Sequence, residues 1–563
     1  MPDREIADWL RGLGYEPHFV EGDDPMPMHQ AMAAVCDSVL AKIFTSKKVA
    51  YTARWPVIVL RTQKGWTGPK EVDAKPVENT WRSHHLPIED VSRDEHLRQL
   101  ESWMKAYRPD ELFDQEGALM AELARLAPTG SRRMGANPHG NGGLLLRELE
   151  LPDYRAYGVP VAQPGPGKAV PTEVLASYLR DVVRANAQWS NFRIFAPDEL
   201  ETNRLDRVFE STPRISRQEI LPTDEFLAPS GRTAEVLSEH VCQGWLEGYL
   251  LSGRHGLFTS YEGFTHVADS MFNQHAKWLE MSRGVSWRRP IASLNYLLTS
   301  HAWHQYRNGL THQNPGFIGL AFDKKPGIAN VYLPPDANTL LAVADHCLRS
   351  RDAINVIVAG NQPAPQWLDI DSAAAHAKAG ISIWDWASGD RGAEPDLVIA
   401  AAGDVPTIEA LAAVDYLRRR LPQVQIRFVN VIDLGRLQDP DQNPAGLPHA
   451  EYDAMFTREK PVIFVFHGYA SLIHSLLYSR HNHNVHVRAF MEEGDVTTPF
   501  DIRVKNEIDR FHLVDLAILL IGGSQGGAIH EELERKLLAH HRHVSEFGED
   551  LPEIREWIWE ASR

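Results

Sequence analysis

The stretch from 397 to 433 constrains the fold more than any other. LVIAAAGD (397–404) is a continuous apolar run that stops at Gly-Asp, residues 407–421 carry a helical pattern, and IRFVNVID (426–433) is a second apolar run. Strands that are apolar on both faces need cover on both. A helix between two of them brings the chain back to the same end of a sheet, so this is the signature of a parallel α/β layout. PVIFVFHGY (461–469) adds another strand of the same kind, followed by a helix through Tyr478.

The pattern recurs, less cleanly, along the rest of the chain. Residues 6–13 and 28–43 look helical, 17–20 is a short apolar run, and 55–60 (WPVIVL) reads as a strand buried on both faces. Few strands precede the point where this first pattern stops, so its domain is expected to be incomplete at its N-terminus. From 130 to 168 Asn, Gly and Pro are dense, as in a linker or a long wrapping segment. A helix at 172–187 and strand-like runs at 191–195 and 318–322 follow, and a third α/β region begins near Val356. A chain of 563 residues is too long for one core. The expected division is 1–135, 136–355 and 356–563, three α/β domains built on doubly wound sheets.

Charge and cysteine content exclude several classes of function. Lys plus Arg is 58 and Asp plus Glu is 75, a formal net charge of −17. A general nucleic-acid binder rests on a basic surface, which this balance opposes, although a local positive pocket for a small anion is compatible with it. The three cysteines form no CxxC pattern, and no apolar run is long enough for a bilayer or resembles a signal peptide. A cytoplasmic protein with no membrane partner is the expectation.

Several short strings carry residue types suited to chemistry. KGWTGPK (64–70) follows the strand at 55–60, where α/β proteins place ligands, and Lys64 supplies a positive charge; a solvated Gly-Pro turn is the plainer reading. RSHHLP (82–87) offers adjacent histidines in a loop, with no further ligands at metal spacing. A helix beginning near Ala234 has an apolar stripe at Leu237, Val241 and Trp245, with Glu239 off the stripe and close to the helix start. There Glu239 either favours the helix dipole or presents a carboxylate to a ligand, and periodicity does not separate the two. GRHGLFTSYEGF (253–264) and YRNGLTHQNPGF (306–317) mix aromatic, Gly and polar residues as binding loops do. HNHNVH (481–486) has no acidic or cysteine companion nearby in sequence and reads as the turn before a strand at 487–490. GGSQGG (522–527) lacks phosphate-loop spacing and reads as a connection between helices.

Taken together, these strings resemble phosphoketolases, relatives of transketolase. The resemblance runs in order through RTQKGWTGPK (61–70), RSHHLP, ETNRL (201–205), EVLSEH (235–240), 253–279, WRRPIASLN (287–295), NGLTHQNPGF, VIVAGNQPAPQWL (356–368) and FGEDLPEI (547–554). It implies three transketolase-like domains and a homodimer holding thiamine diphosphate between subunits. The implied reaction cleaves xylulose 5-phosphate or fructose 6-phosphate with inorganic phosphate, giving acetyl phosphate and an aldose phosphate. On the matching positions, Glu239 faces N1′ of the aminopyrimidine and Phe264 stacks on that ring. Lys64 and His84 face the thiazolium and the substrate hydroxyls, with His312 beside them. Thr202, Arg204, Tyr261 and Asn308 hold sugar or inorganic phosphate.

The sequence departs from the family pattern in four places. The diphosphate signature that begins GDG occurs nowhere. Mg²⁺ and its ligands are therefore expected from an N-terminal region outside this chain, and the 563 residues alone are expected to bind thiamine diphosphate weakly or not at all. The implied alternatives are a fragment, one subunit completed by a separate N-terminal polypeptide, or a truncated non-catalytic paralogue acting as a dimerising or regulatory protein. The other departures are Asn361, His85 and Arg307, which stand where the family pattern has lysine, glutamine and histidine. They bear on phosphate affinity and on ketose preference.

Overall fold

The computed structural model describes residues 1–46, 54–197, 199–216, 218–492, 494, 496–522 and 526–560. It divides into two units, Met1–Thr129 and Gly130–Arg563.

In the first unit, β1 (Tyr15–Glu21) and β2 (Trp55–Arg61) pair in parallel, Tyr15 opposite Trp55 through Glu21 opposite Arg61. Helices Asp3–Gly12, Pro25–Ser46 and Asp94–Ala106 accompany them. The strand expected at 55–60 is present, but it is not buried on both faces: Trp55 is 47% and Leu60 55% exposed. Among the described residues of this unit, β2 has a single neighbouring strand, β1, and helix Pro25–Ser46 packs on the pair, which leaves the middle of β2 half-buried and Trp55 and Leu60 exposed.

In the second unit, eight strands form one sheet: β3 (Phe192–Ala196), β4 (Arg214–Ile215), β5 (Leu227–Ala228), β6 (Thr233–Glu235), β7 (His255–Tyr261), β8 (Leu294–Thr299), β9 (Ala329–Tyr332) and β10 (Ile354–Val358). Their order is β9-β10-β8-β7-β3-β6-β4-β5, and every pairing is parallel. A second sheet contains β11 (Ile381–Ile383), β12 (Leu397–Ala402), β13 (Ile426–Val431), β14 (Val462–Tyr469) and β15 (Val485–Phe490), ordered β11-β13-β12-β14-β15. Only its edge strand β11 runs antiparallel.

All residues of β12 and β13 are buried, and helix Asp404–Arg420 connects them, so the unit read from 397–433 is there. Arg418, Arg419 and Arg420 close that helix, where cations favour its negative end. The two sheets share one core, in which Tyr296 and Leu298 of the first join Val398 and Phe464 of the second.

The Gly-rich segment after 130 wraps this core. A Cβ on Gly142 would lie 1.9 Å from the Leu251 carbonyl oxygen, and one on Gly143 2.5 Å from that of Arg289. The buried Asn141 between them and the loop before donates to the Gly135 and Trp287 carbonyls at 3.0 Å. Only glycine permits so close an approach of two backbones.

Three local expectations are corrected. Residues 318–322 are not a strand but belong to the 3-10 helix Gly316–Asp323; a five-residue apolar run does not distinguish the two. The helix expected near Ala234 begins at Glu239, because β6 occupies Thr233–Glu235 and Ser238 caps the helix by accepting from the Val241 amide at 3.2 Å. Its core-facing residues are Cys242, Gln243, Leu246 and Leu250, whereas Leu237, Val241 and Trp245 are 79%, 38% and 51% exposed. In 481–486, His481 has an acidic companion after all, Asp453, at 2.9 Å, and β15 already starts at Val485. GGSQGG follows helix Arg510–Ile521 and enters helix Gly526–Phe547; its residues 523–525 lie outside those described. No described helix is long and apolar enough to cross a membrane.

Candidate active site

In the second unit, the carboxyl ends of β3, β7, β8 and β10 point their loops into one region, the place where parallel sheets bind ligands. After β7, Tyr261 and Phe264 stack with ring centroids 5.8 Å apart and planes at 16°. The His312 ring meets Phe264 at 4.8 Å and 61°. The backbone beneath is tight, since a Cβ on Gly263 would lie 2.7 Å from the His312 carbonyl oxygen. Tyr261, Phe264 and His312 thus form one aromatic wall.

The loops after β3, β8 and β10 are tied together beside it. The Tyr261 amide donates to Glu199 Oε2 at 2.9 Å, and the Thr202 hydroxyl donates to the Glu199 carbonyl at 3.2 Å. Asn361 Nδ2 donates to the Thr202 carbonyl at 3.1 Å and to Ser300 Oγ at 2.7 Å, while Ser300 donates to Asn203 Oδ1 at 3.0 Å. Asn361 therefore braces the loops with neutral hydrogen bonds. Arg204 is exposed in the left-handed region at φ 60°, and its guanidinium has no ion-pair partner among the described residues. Asn308 is exposed and donates to Gln305 at 2.6 Å. Arg307 lines a cavity of about 400 Å³ together with Lys168, Arg503, Arg510 and Arg555.

Glu239 occupies the first turn of its helix, partly exposed and without an ion pair among the described residues. One turn on, burial pushes the Cys242 thiol up to about 12, and the negative charge of Glu239 adds to that. Lys64 and His84 belong to the first unit. Lys64 is exposed on the turn after β2, its carbonyl accepting from the Asn79 amide at 2.8 Å; His84 ends the short 3-10 helix Trp81–His84 and meets the His85 ring edge-on. Of the residues singled out from sequence, the structure brings Tyr261 and His312 each against Phe264 and ties Thr202 into the same loops.

Sequence reasoning missed a buried polar cluster directly behind the wall. Glu262, between Tyr261 and Phe264, is fully buried; its carboxylate accepts from His467 Nε2 at 2.8 Å and from the Ala302 amide at 3.0 Å. His301 pairs with Asp404 at 3.0 Å, stacks on His304 at 4.0 Å and meets the His467 ring edge-on at 5.0 Å. Burial opposes charge on His301, yet the Asp404 carboxylate raises its pKa above the ordinary value. Burial opposes ionisation of Asp404 as well, and His301 outweighs it, holding that carboxyl well below the usual range. Burial, with the His301 charge added, pushes His304 down to about 3. The only sequence signal was the HAWH spacing (301–304), and its acidic partner lies a hundred residues away.

Solved structures share the fold. The chain is similar in fold to transketolase from Pichia stipitis (16% identity, TM-score 0.56, covering 92% of this chain and 69% of that one). It is likewise similar to transketolase from Leishmania mexicana (14% identity, TM-score 0.56, covering 92% and 68%). Three family models match: the XFP N-terminal domain over 1–145, D-xylulose 5-phosphate/D-fructose 6-phosphate phosphoketolase over 173–350, and the XFP C-terminal domain over 361–559. Two curated relatives, each named "Probable phosphoketolase", are 57% identical over 571 residues (Bradyrhizobium diazoefficiens) and 56% over 573 residues (Nitrosospira multiformis). Each alignment covers 99% of this chain and 71% of the relative. The chain belongs to the phosphoketolase family.

Proposed function

We propose that this chain carries out phosphoketolase cleavage: xylulose 5-phosphate or fructose 6-phosphate reacts with inorganic phosphate to give acetyl phosphate and an aldose phosphate. The observation that carries this reading is 57% identity, along 99% of the chain, to a relative named "Probable phosphoketolase". The stacked Tyr261–Phe264 wall supports it, being a surface of the kind a flat heteroaromatic ring needs.

The wall and the carboxylate of Glu239 fit the pyrimidine half of thiamine diphosphate. The sequence contains no GDG signature, so the residues assigned here account for that half and not for the diphosphate with its Mg²⁺. When bound, the cofactor supplies the carbanion chemistry that breaks the carbon–carbon bond. The protein's part is to orient groups and move protons. Glu239 holds the proton at N1′ of the pyrimidine. Phe264 fixes the ring. His312 lies at the rim of the wall and exchanges protons with the substrate hydroxyls; the roles assigned to Lys64 and His84, on the first unit, are to face the thiazolium and the substrate hydroxyls. Arg204, whose guanidinium presents a planar fork, binds phosphate with Thr202, Tyr261 and Asn308. With Asn361 neutral and Arg307 positive, the phosphate site draws its charge from Arg204 and Arg307.

The proposed organisation keeps a diphosphate-binding region at 1–135, a pyrimidine-binding region at 136–355 and a C-terminal region at 356–563. The exposed apolar side chains of Leu237, Val241 and Trp245 near Glu239 support a homodimer that buries them, with the cofactor near the seam. The enzyme would work in the cytoplasm.

The test is trapping acetyl phosphate as its hydroxamate, using the chain completed to the length of its relatives and supplied with thiamine diphosphate, Mg²⁺, phosphate and either ketose phosphate. Hydroxamate formation is expected with at least one ketose. A folded, cofactor-loaded assembly that forms none would favour the non-catalytic reading.

A further inference from the structure

Three metal-ligating side chains meet where the ends of the two sheets come together. His301 and His304 lie in the turn after β8, and Asp404 follows β12. Asp404 Oδ2 is 3.0 Å from Nε2 of His301 and 3.9 Å from Nε2 of His304, and one ligand atom from each residue lies within 4.8 Å of the others. His301 and Asp404 are buried, and the His304 side chain is 10% exposed. We propose that His301, His304 and Asp404 form a binding site for a divalent transition-metal ion of the zinc class, distinct from the magnesium of the cofactor.

The donor chemistry selects the ion. Two imidazole nitrogens and one carboxylate oxygen suit Zn²⁺ and Co²⁺, whereas Mg²⁺ and Ca²⁺ take oxygen ligands. Bonds of about 2.0 Å around a tetrahedral centre put neighbouring donors about 3.3 Å apart. His301 and Asp404 already approach that spacing, and His304, now stacked on His301, would turn out of that stack to bring its Nε2 lone pair to the same ion.

A cation bound here would replace the proton that now lies between His301 Nε2 and Asp404 Oδ2. Asp404 Oδ1 accepts from the Val405 amide at 2.7 Å, so Oδ2 is the oxygen facing the histidines. That oxygen accepts from His301, but 3.9 Å is too long for a hydrogen bond from His304. On the far side of the ring, His304 Nδ1 and the Asn361 carboxamide oxygen are both buried and without a hydrogen-bond partner. Pairing them as Nδ1–H···Oδ1 satisfies both and fixes the tautomer that aims the Nε2 lone pair at the ion, the usual outer support of a histidine ligand. His467, bonded to Glu262, packs against the His301 ring and holds it in place. A bound ion would tie the turn after β8, which leads to Asn308 and His312, to the C-terminal sheet. A fourth coordination position would be left for water or an anion.

Metal binding is read without the cofactor or any activity. The purified 563-residue chain is stripped with a chelator and titrated with Zn²⁺ in a calorimeter and with Co²⁺ in a visible spectrometer. One equivalent of Zn²⁺ with Kd of about 1 μM or tighter is expected, and Co²⁺ should give d–d bands of a low-symmetry nitrogen–oxygen site. His304→Ala and His304→Asn should each weaken Zn²⁺ by at least about tenfold and abolish the Co²⁺ bands while circular dichroism stays unchanged. The pair of half-buried His449 and exposed His481, stacked at 4.9 Å, is the control for adventitious binding. Replacing both with Ala should leave the tight equivalent intact. If neither His304 variant folds, X-ray absorption of the zinc-loaded wild type must show two imidazoles and a carboxylate. Zn²⁺ binding weaker than about 100 μM, binding indifferent to His304, or binding lost with His449 and His481 would each overturn the proposal, leaving a metal-free His301–Asp404 ion pair.

Discussion

Replacing Glu409 with Gln takes a charge out of a site that water does not reach. Glu409 lies on helix Asp404–Arg420 and is fully buried. Its carboxylate accepts from Arg503 Nη1 at 2.6 Å, and from Nε, Nη2 and the backbone amide of Arg510 at 2.9, 3.0 and 3.0 Å. Burial alone would raise its pKa, but Arg510 and then Arg503 outweigh burial and hold it at about 2, against an ordinary 4.5. Lowering from 4.5 to about 2, at about 1.4 kcal/mol per pH unit, is about 3.5 kcal/mol of stability, in line with the roughly 3–5 kcal/mol lost when a buried ion pair loses one partner.

Because the folded pKa is the lower one, this contribution is complete above pH 4.5 and fades as pH falls toward 2. Urea unfolding followed by tryptophan fluorescence should show the Gln variant about 3.5 kcal/mol less stable at pH 7. The gap should narrow by about 1.4 kcal/mol at pH 3.5. A loss under about 1 kcal/mol at pH 7, or a gap that does not narrow in acid, would refute the reasoning.

Three further outcomes are expected. In the completed, cofactor-loaded enzyme, Glu239→Gln should lower turnover by about a hundredfold or more with the fold intact; a residue that only favours its helix dipole would cost about 1 kcal/mol of stability at most and leave the rate unchanged. Gly263→Ala puts a methyl 2.7 Å from the His312 carbonyl, and the displaced wall should raise the KM for thiamine diphosphate by about tenfold, for a strain of about 1–3 kcal/mol; an unchanged KM would separate the wall from cofactor binding. Leu237→Asp with Trp245→Asp should give a monomer by analytical ultracentrifugation if these exposed apolar side chains belong to the dimer seam, and a variant that sediments like the parent would place the seam elsewhere.

Legibility in the sequence followed how local the determinants are. The unit at 397–433 could be read because two fully apolar runs flank a helix-length segment, and all of it is buried as that pattern requires. Residues 234–245 misled because Thr233–Glu235 is strand and Ser238 restarts the chain as helix, so a four-residue spacing that crosses the cap describes no single face. WPVIVL gave the strand but not its exposure, which depends on how many strands stand beside it. Tyr261, Phe264 and His312 were singled out as loop residues, and contact among them follows from two adjacent parallel strands ending at the same level. The cluster of Glu262, His467, His301, Asp404 and His304 was not legible, since only the packing of one sheet's end on the other brings residues 262, 301, 404 and 467 together. Asp453 beside His481 escaped notice for the same reason, at a separation of 28 residues.

The most direct test of the functional reading follows a single carbon. The chain, completed to the length of its relatives and loaded with thiamine diphosphate and Mg²⁺, is given fructose 6-phosphate labelled with carbon-13 at C1, together with inorganic phosphate and an acceptor aldose. The reaction is followed by carbon-13 NMR. Phosphoketolase chemistry predicts that the label moves from a CH2OH resonance to the methyl group of acetyl phosphate. A label that remains CH2OH and appears at C1 of a new ketose would mean two-carbon transfer to the aldose, and would contradict the account.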